Sequence, residues 1–115
     1  MKAIVTGGTG FIGGKLVEAL VRKGYDVRCL IRKTSNVSRL KELGVELFLG
    51  DLGDLEALRN LPDGGDVVFH LAALVTDWGD ADNFYKYNVL ATKELLESSK
   101  THGVKRFVYM SSSTV

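Results

Sequence analysis

The residues of this chain best suited to bind a ligand form a glycine-rich turn near the N-terminus. The turn reads Thr6-Gly7-Gly8-Thr9-Gly10-Phe11-Ile12-Gly13 and follows the apolar run Ala3-Ile4-Val5. Glycines let the backbone turn sharply, and the free N–H groups of a following helix attract anions. This stretch therefore predicts a phosphate site, although a plain turn that needs positive φ angles would use the same residues.

The glycine spacing favours a pyrophosphate group, because the pattern Gly-x-Gly-x-x-Gly at positions 8–13 follows a strand and opens a helix. We assign the tight turn to Gly7 and Gly8, room for the pyrophosphate to Gly10, and close approach of the helix to Gly13. The backbone N–H groups of Phe11 and Ile12 would then face the phosphates.

Basic residues at the end of the second predicted strand bear on which dinucleotide fits. An acidic residue there would bind the ribose 2′-hydroxyl of NAD, whereas arginine favours the 2′-phosphate of NADP. Here the strand ends in Arg32 and Lys33, with Arg39 a weaker third candidate, and Asp26 lies at the other end of the strand. The pattern favours NADP over NAD; the alternative is an ordinary solvated basic loop.

An acidic residue follows the third predicted strand. The Asp51 carboxylate could accept a hydrogen bond from an adenine amino group, with Leu52 against the ring. Asp51 and Asp54 also stand near the start of a short helix, where either could act as a capping residue. Both interpretations stay open at this level.

Small and polar residues mark the ends of the last two strands. Leu71, Ala72 and Ala73 would lie where a flat ribose or nicotinamide could rest. We expect the preceding His70 to satisfy a buried hydrogen bond rather than to perform catalysis. After the fifth strand, a hydroxyl of the run Ser111-Ser112-Ser113-Thr114 could bind a substrate carbonyl or alcohol, or simply form a turn.

One polar residue of the long predicted helix faces the apolar side. Asn88 shares a helical stripe with Phe84, Ala91 and Leu95, and a buried amide needs partners. We expect Asn88 to tie this helix to the turn after the fourth strand, shaping the site without reacting.

Alternating strands and helices must position these residues. The strands are predicted at 3–5, 26–31, 45–49, 67–69 and 106–110, and the helices at 11–23, about 37–43, 55–61 and 82–102. In the first helix, Ile12, Leu16, Ala19 and Leu20 are expected to share the apolar face. The pattern predicts an α/β fold with a Rossmann-type, doubly wound parallel sheet of about five strands, whose carboxyl ends bring the candidate residues to one edge.

Size and composition exclude several other classes. The 115 residues fit one domain, and a net charge of +1 offers no nucleic-acid or membrane surface. The single Cys29 excludes an internal disulfide, no Cys/His cluster suggests a metal, and no signal peptide is apparent. The expected location is the cytoplasm.

Together, these motifs resemble the extended short-chain dehydrogenase/reductase family, within the NAD-dependent epimerase/dehydratase superfamily. The resemblance covers the whole chain and includes Gly50-Asp51-Leu52, His70-Leu71-Ala72-Ala73, Asn88-Val89 and the run 107–113. The stretch 30–35 and Trp78 are similar to its dihydroflavonol-reductase-like branch. The resemblance implies that Ser112 is the catalytic serine (Ser111 or Ser113 if the register slips), that Asn88 supports the centre, and that Ala72 and Ala73 line the nicotinamide side.

The chain departs from that family in one respect. The family uses a tyrosine with a lysine four positions later, and the tyrosines here, at 25, 85, 87 and 109, are followed at that spacing by Cys29, Val89, Ala91 and Ser113. We therefore expect residues 1–115 to be the N-terminal nucleotide-binding part of a longer enzyme, lacking the substrate part and inactive alone. We also expect a homodimer or self-association, through the long helix or the exposed sheet edge.

The leading functional prediction is an NADP-preferring oxidoreductase that exchanges hydride with a carbonyl or alcohol of a small molecule. A nucleotide-sugar epimerase or dehydratase is the first alternative. A non-catalytic dinucleotide-binding or redox-sensing module is the second.

Overall fold

The structure, a computed structural model, describes residues 1–8, 11–33, 36–51, 53–73 and 81–112. At 72, 73, 81–88, 111 and 112 the description concerns the backbone. The strands are β1 (Lys2–Thr6), β2 (Asp26–Ile31), β3 (Glu46–Leu49), β4 (Val67–Ala73) and β5 (Arg106–Ser112). The helices are α1 (Phe11–Arg22), α2 (Ser38–Glu42), α3 (Leu55–Asn60) and α4 (Ala81–Thr101).

The five strands form one parallel sheet in the order β3-β2-β1-β4-β5. From β1 the chain moves outward through β2 to β3, and then crosses back to begin β4 on the other side of β1. The boundary between β1 and β4 is therefore the point where strand order reverses. Ligands of open α/β sheets bind there, at the carboxyl ends of the strands.

Helices cover both faces of the sheet, which confirms the predicted Rossmann-type fold. On one face, Ala3 and Val5 of β1 pack with Val17 of α1 and Leu40 of α2. The opposite face joins the strands to α3 and α4 through a second buried group, which comprises Ile4, Leu30, Leu58, Leu61, Val68, Ala91 and Leu95. Alternate side chains of a strand point to opposite faces, so the middle of β1, Ala3–Val5, is apolar because both of its faces are buried.

The predicted elements all form, with ends that differ by a few residues. A glycine follows the last residue of three helices by two positions and terminates each helix, as the sequence indicates. At the end of α1, for example, Gly24 has a φ of 88°, and the N–H of Tyr25 bonds the carbonyl of Leu20 at 3.0 Å. The same arrangement recurs at Gly44 and Gly103.

The predicted apolar face of α1 is right for Leu16 and Leu20, which pack in the core, and wrong for Ile12 and Ala19. Its buried residues are Gly13, Val17 and Leu20, whereas Ile12 is 52% exposed and Ala19 is exposed. The reason is Gly13. The side of the helix that carries Gly13 packs most closely against the preceding glycine turn. Because glycine has no apolar side chain, the hydrophobic pattern does not identify the side of the helix that carries Gly13 as buried.

Candidate functional site

The glycine turn and the start of α1 pack backbone against backbone. Gly7, just after β1, has a φ of 78°, and a Cβ there would lie 2.9 Å from the carbonyl oxygen of Leu71. A Cβ at Gly13 would overlap the Gly7 carbonyl oxygen. A Cβ at Gly8 would lie 3.1 Å from Cys29 Sγ. This turn therefore tolerates no side chain at Gly13, and the predicted close approach of the helix is confirmed.

The first turn of α1 suits an anion. It contains no acidic residue, and Phe11 is 80% exposed. Lys15 Nζ lies 5.1 Å from the centre of the Phe11 ring, so a cation stands near the positive end of the helix dipole. The free N–H groups of this helix start and the nearby cation suit a pyrophosphate. Gly10, predicted to make room for this group, lies outside the described residues.

The basic residues after β2 reach the same edge of the sheet. Arg32 and Lys33 are both exposed directly beyond the strand. The N–H of Gly50, which follows β3, donates to the carbonyl of Ile31 at 2.8 Å and keeps the two strand ends together.

Arg39, the third basic candidate, has acidic partners of its own. Its guanidinium lies 2.9 Å from a Glu18 carboxylate oxygen and 3.3 Å from one of Glu42. Arg39 and Arg22 together lower the pKa of the Glu18 carboxyl. These contacts link α2 to α1, so Arg39 serves at least a structural purpose.

The two acidic residues after β3 have different roles. Asp54 is the capping residue of α3, because its side chain accepts the N–H of Ala57 at 3.2 Å. The Asp51 carboxylate instead accepts the N–H of Gly53 at 3.2 Å and is exposed. Capping thus accounts for Asp54, and the prediction that Asp51 binds adenine stays a prediction. Leu52, its predicted companion, lies outside the described residues.

His70 is fully buried in the middle of β4 and hydrogen-bonded at both ring nitrogens. Nδ1 lies 2.6 Å from Thr6 Oγ1, and Nε2 lies 2.9 Å from Thr92 Oγ1. The Thr6 hydroxyl also accepts the N–H of Leu71 at 3.1 Å. Burial lowers the pKa of His70 to about 4. The predicted hydrogen-bonding role is confirmed, since a neutral, satisfied imidazole is a poor proton shuttle at pH 7.

The remaining site candidates are located through their backbones. In the β4–β5 register, Ala72 pairs with Ser111 and Ala73 with Ser112. Asn88 lies in α4, one turn before Thr92, whose side chain contacts β4. The side chains of these five candidates, like the whole of Ser113, lie outside what the structure describes, so their roles stay predictions.

Two residues of the site are missed by the sequence reasoning, Thr6 and Thr92. Thr6 is the first residue of the glycine motif, but the sequence analysis assigns no role to its side chain. Thr92 follows Asn88 by four residues and therefore shares its helical stripe. A search for polar partners along that stripe would have found Thr92, whereas the Thr6 contact joins residues 64 positions apart in sequence.

The described residues offer little other chemistry. In that part of the chain, no group of three or more His, Cys, Asp or Glu side chains is placed to hold a metal ion. Burial raises the pKa of the Cys29 thiol to about 12, so this cysteine is a poor nucleophile. Nor does any helix in the same ranges have the length and apolar character needed to cross a membrane.

Comparison with known protein families identifies the family to which this fold and its candidate site belong. The sequence model of the "NAD dependent epimerase/dehydratase family" matches residues 3–115. The chain belongs to this family. A family member from Stenotrophomonas maltophilia, 2-alkyl-3-oxoalkanoate reductase, is 37% identical over 115 residues, which are 100% of this chain and 34% of the relative. The chain thus spans about a third of the length of the curated relatives that it matches.

Solved structures agree with this assignment. UDP-glucose 4-epimerase from Bifidobacterium longum, in complex with NAD+ and UDP, is 29% identical with a TM-score of 0.82, covering 100% of this chain and 38% of that one. A short-chain dehydrogenase/reductase superfamily protein from Agrobacterium tumefaciens with bound NAD is 33% identical, with a TM-score of 0.76 and coverages of 95% and 32%. Both reductases and epimerases are therefore similar to this chain.

Proposed function

We propose that this chain is the dinucleotide-binding part of an oxidoreductase that exchanges hydride with a carbonyl or alcohol of a small molecule, with NADP preferred over NAD. The observation that carries the proposal is the tightly packed glycine turn of Gly7, Gly8 and Gly13, which lies at the strand-order reversal beside the start of α1. A phosphate group can approach such a backbone closely.

Each candidate residue has a defined task in this proposal. The N–H groups of Phe11 and Ile12 hold the pyrophosphate, with room left at Gly10. Arg32 and Lys33 hold the 2′-phosphate. The adenine end rests on Asp51 and Leu52, and the nicotinamide side on Leu71, Ala72 and Ala73.

The nicotinamide ring, once bound, supplies or accepts a hydride. Ser112 then donates a hydrogen bond to the substrate oxygen, and Asn88 supports the end of β4. No tyrosine of the 115 residues has a lysine four positions later. We therefore propose that this chain binds the dinucleotide but does not turn over substrate by itself. A cytoplasmic location belongs to the same proposal.

A nucleotide-sugar epimerase is the second candidate function. The TM-score of 0.82 to the Bifidobacterium longum epimerase over the whole chain favours it. Three features favour the reductase instead: the reductase relative at 37% identity, the similarity of residues 30–35 to the reductase-like branch, and the basic pair after β2.

Calorimetric titration with NADP and with NAD tests the proposal. The unaltered chain should bind NADP more tightly than NAD. In Arg32→Asp the preference should fall about tenfold or more, because a charge-assisted contact to the 2′-phosphate is lost. An unchanged preference in Arg32→Asp would reject Arg32 as the 2′-phosphate ligand.

Lys23→Asp is the matched control. It makes the same change of charge at an exposed residue just after α1, at the opposite edge of the sheet. The NADP preference should stay that of the unaltered chain. An equal loss in both variants would show a general effect of net charge rather than a specific contact.

A further inference from the structure

A chain of hydrogen bonds, buried at Thr6 and His70 and partly buried at Thr92, joins three elements beside the proposed dinucleotide site. It runs from the Leu71 N–H to Thr6 Oγ1 (3.1 Å), from Thr6 to His70 Nδ1 (2.6 Å), and from Nε2 to Thr92 Oγ1 (2.9 Å). Thr6 ends β1, His70 and Leu71 lie on β4, and Thr92 lies on α4. We call this set the Thr6–His70–Thr92 brace.

The contacts favour one position for the imidazole proton. The Thr6 hydroxyl already accepts an N–H and has a single proton to give. Nδ1 of His70 lies within reach of that proton. With Nδ1 as the acceptor, Nε2 carries the imidazole proton and donates it to Thr92.

The brace acts where β1 leaves the sheet. The last β1–β4 pair is Thr6 with His70, and beyond it the Thr6 side chain takes up the Leu71 N–H. The next residue, Gly7, packs so tightly on Leu71 that a Cβ would lie 2.9 Å from its carbonyl oxygen. Whatever holds Thr6 thus sets the position of the glycine turn against β4.

We propose that His70, as the neutral Nε2–H tautomer, is a positioning residue that holds the glycine turn in register with β4 and α4 for dinucleotide binding. The inference rests on the proposed function for its ligand. His70 does not touch the dinucleotide in this account. It acts through Thr6 on the turn, and through Thr92 on the helix that carries Asn88.

The test combines nitrogen NMR of His70 with nucleotide affinity. Long-range proton–nitrogen correlation in the unaltered chain should show the Nε2–H tautomer at neutral pH. Thr92→Val should weaken NADP binding roughly three- to tenfold, the value of one hydrogen bond. Thr92→Ser, which keeps the hydroxyl, should restore affinity to within about twofold. Ser99→Ala is the control, because its buried hydroxyl bonds Leu95 on the same helix, away from the brace.

The outcomes separate this inference from the proposed function. An Nδ1–H tautomer in the unaltered chain, or unchanged affinity in Thr92→Val, overturns the brace. If the unaltered chain binds neither NADP nor NAD, the proposed function fails, and exchange of the Leu71 amide proton becomes the deciding measurement. Faster exchange in Thr92→Val than in Ser99→Ala then supports the brace, and equal rates overturn it.

Discussion

Two adjacent glycines of α1 have opposite structural requirements. A Cβ at Gly13 would overlap the carbonyl oxygen of Gly7, whereas one at Gly14 would lie 3.7 Å from the carbonyl oxygen of Gly8, an ordinary contact. Gly13→Ala must therefore push the helix from the turn, while Gly14→Ala only removes backbone freedom from the unfolded chain.

We predict that Gly13→Ala lowers the free energy of unfolding by about 2 kcal/mol or more and abolishes nucleotide binding. Gly14→Ala should raise the free energy of unfolding by up to about 1 kcal/mol and keep binding. Urea denaturation and calorimetry measure the two effects. Equal behaviour of the two variants would show that the close contact at Gly13 is not required.

His70 makes stability depend on pH. Its pKa falls from 6.5 to about 4 on folding, because burial disfavours the charged ring. Below pH 6.5 the unfolded chain therefore binds a proton that the folded chain refuses. The stability contribution is complete above about pH 6.5 and is lost progressively as the pH falls towards 4.

The loss should amount to about 3 kcal/mol for a shift of this size. Urea denaturation between pH 7 and pH 4, on the unaltered chain and on His70→Gln, measures it. The two chains should converge in stability as the pH falls. Parallel pH profiles would show that His70 titrates normally in the folded chain.

At the scale of elements, Arg28 of β2 anchors the edge of the sheet opposite the site. Its guanidinium donates to Glu46 at 2.5 Å and to the carbonyls of Leu61 and Asp63 at 2.8 and 2.7 Å. Lys2, with Arg28, lowers the pKa of the Glu46 carboxyl. The connection between α3 and β4 is thus fixed to β2.

Arg28→Met should cost about 1–3 kcal/mol of unfolding free energy, because it leaves the carbonyls of Leu61 and Asp63 without their donor and the Glu46 carboxylate with Lys2 alone. Arg22→Met is the control. Its ion pair with Glu18 lies on the surface, with the arginine side chain 76% exposed, and should contribute no more than about 0.5 kcal/mol. Thermal or urea denaturation of both variants measures the difference, and equal losses would contradict the anchoring role.

Two aspartates near the start of α3 have different predicted roles, Asp54 in capping the helix and Asp51 in binding the nucleotide. Asp54→Ala removes the N-cap and should cost about 1 kcal/mol of stability without changing nucleotide affinity. Asp51→Ala should weaken nucleotide binding with little effect on stability, if Asp51 binds adenine. Denaturation and calorimetry on the same two samples measure both quantities. Weaker binding in Asp54→Ala alone would reverse the assignment.

The sequence predicts the elements well because their signals are local. Apolar strands, helical periodicity and glycines such as Gly24 lie within a few residues of the structure that they determine. The predicted apolar face of α1 misses the side that carries Gly13, because this residue makes the closest contact but has no hydrophobic side chain. The partners of His70 and Arg28 are not predictable in this way, since they lie 64, 22, 33 and 35 positions away. Such contacts follow only once the sheet order is known.

At the scale of the whole molecule, we propose that exposed apolar side chains mediate self-association. On α4, Val89, Leu90 and Leu96 are 49%, 45% and 38% exposed, and on the outer strand β5 Tyr109 and Met110 are 49% and 43% exposed. Apolar surface and an unpaired strand edge both favour pairing with another chain.

Size-exclusion chromatography with light scattering should therefore show a dimer or a concentration-dependent mass. Leu90→Lys and Met110→Lys distinguish the two surfaces: the variant that restores the monomer identifies the interface. A heat-stable monomer at every concentration would contradict self-association.

The central claim concerns the edge of the sheet at which the dinucleotide binds. The opposite edge has an open groove of about 300 Å³, which Lys2, Tyr25, Gly44 and Glu46 help to line, so the molecule offers a competing surface. Amide NMR of the nitrogen-labelled chain during titration with NADP distinguishes the two. The account predicts shifts at Gly7, Gly8 and 11–13, and unchanged signals around that groove. Shifts confined to the groove, or no shifts at all, would contradict it.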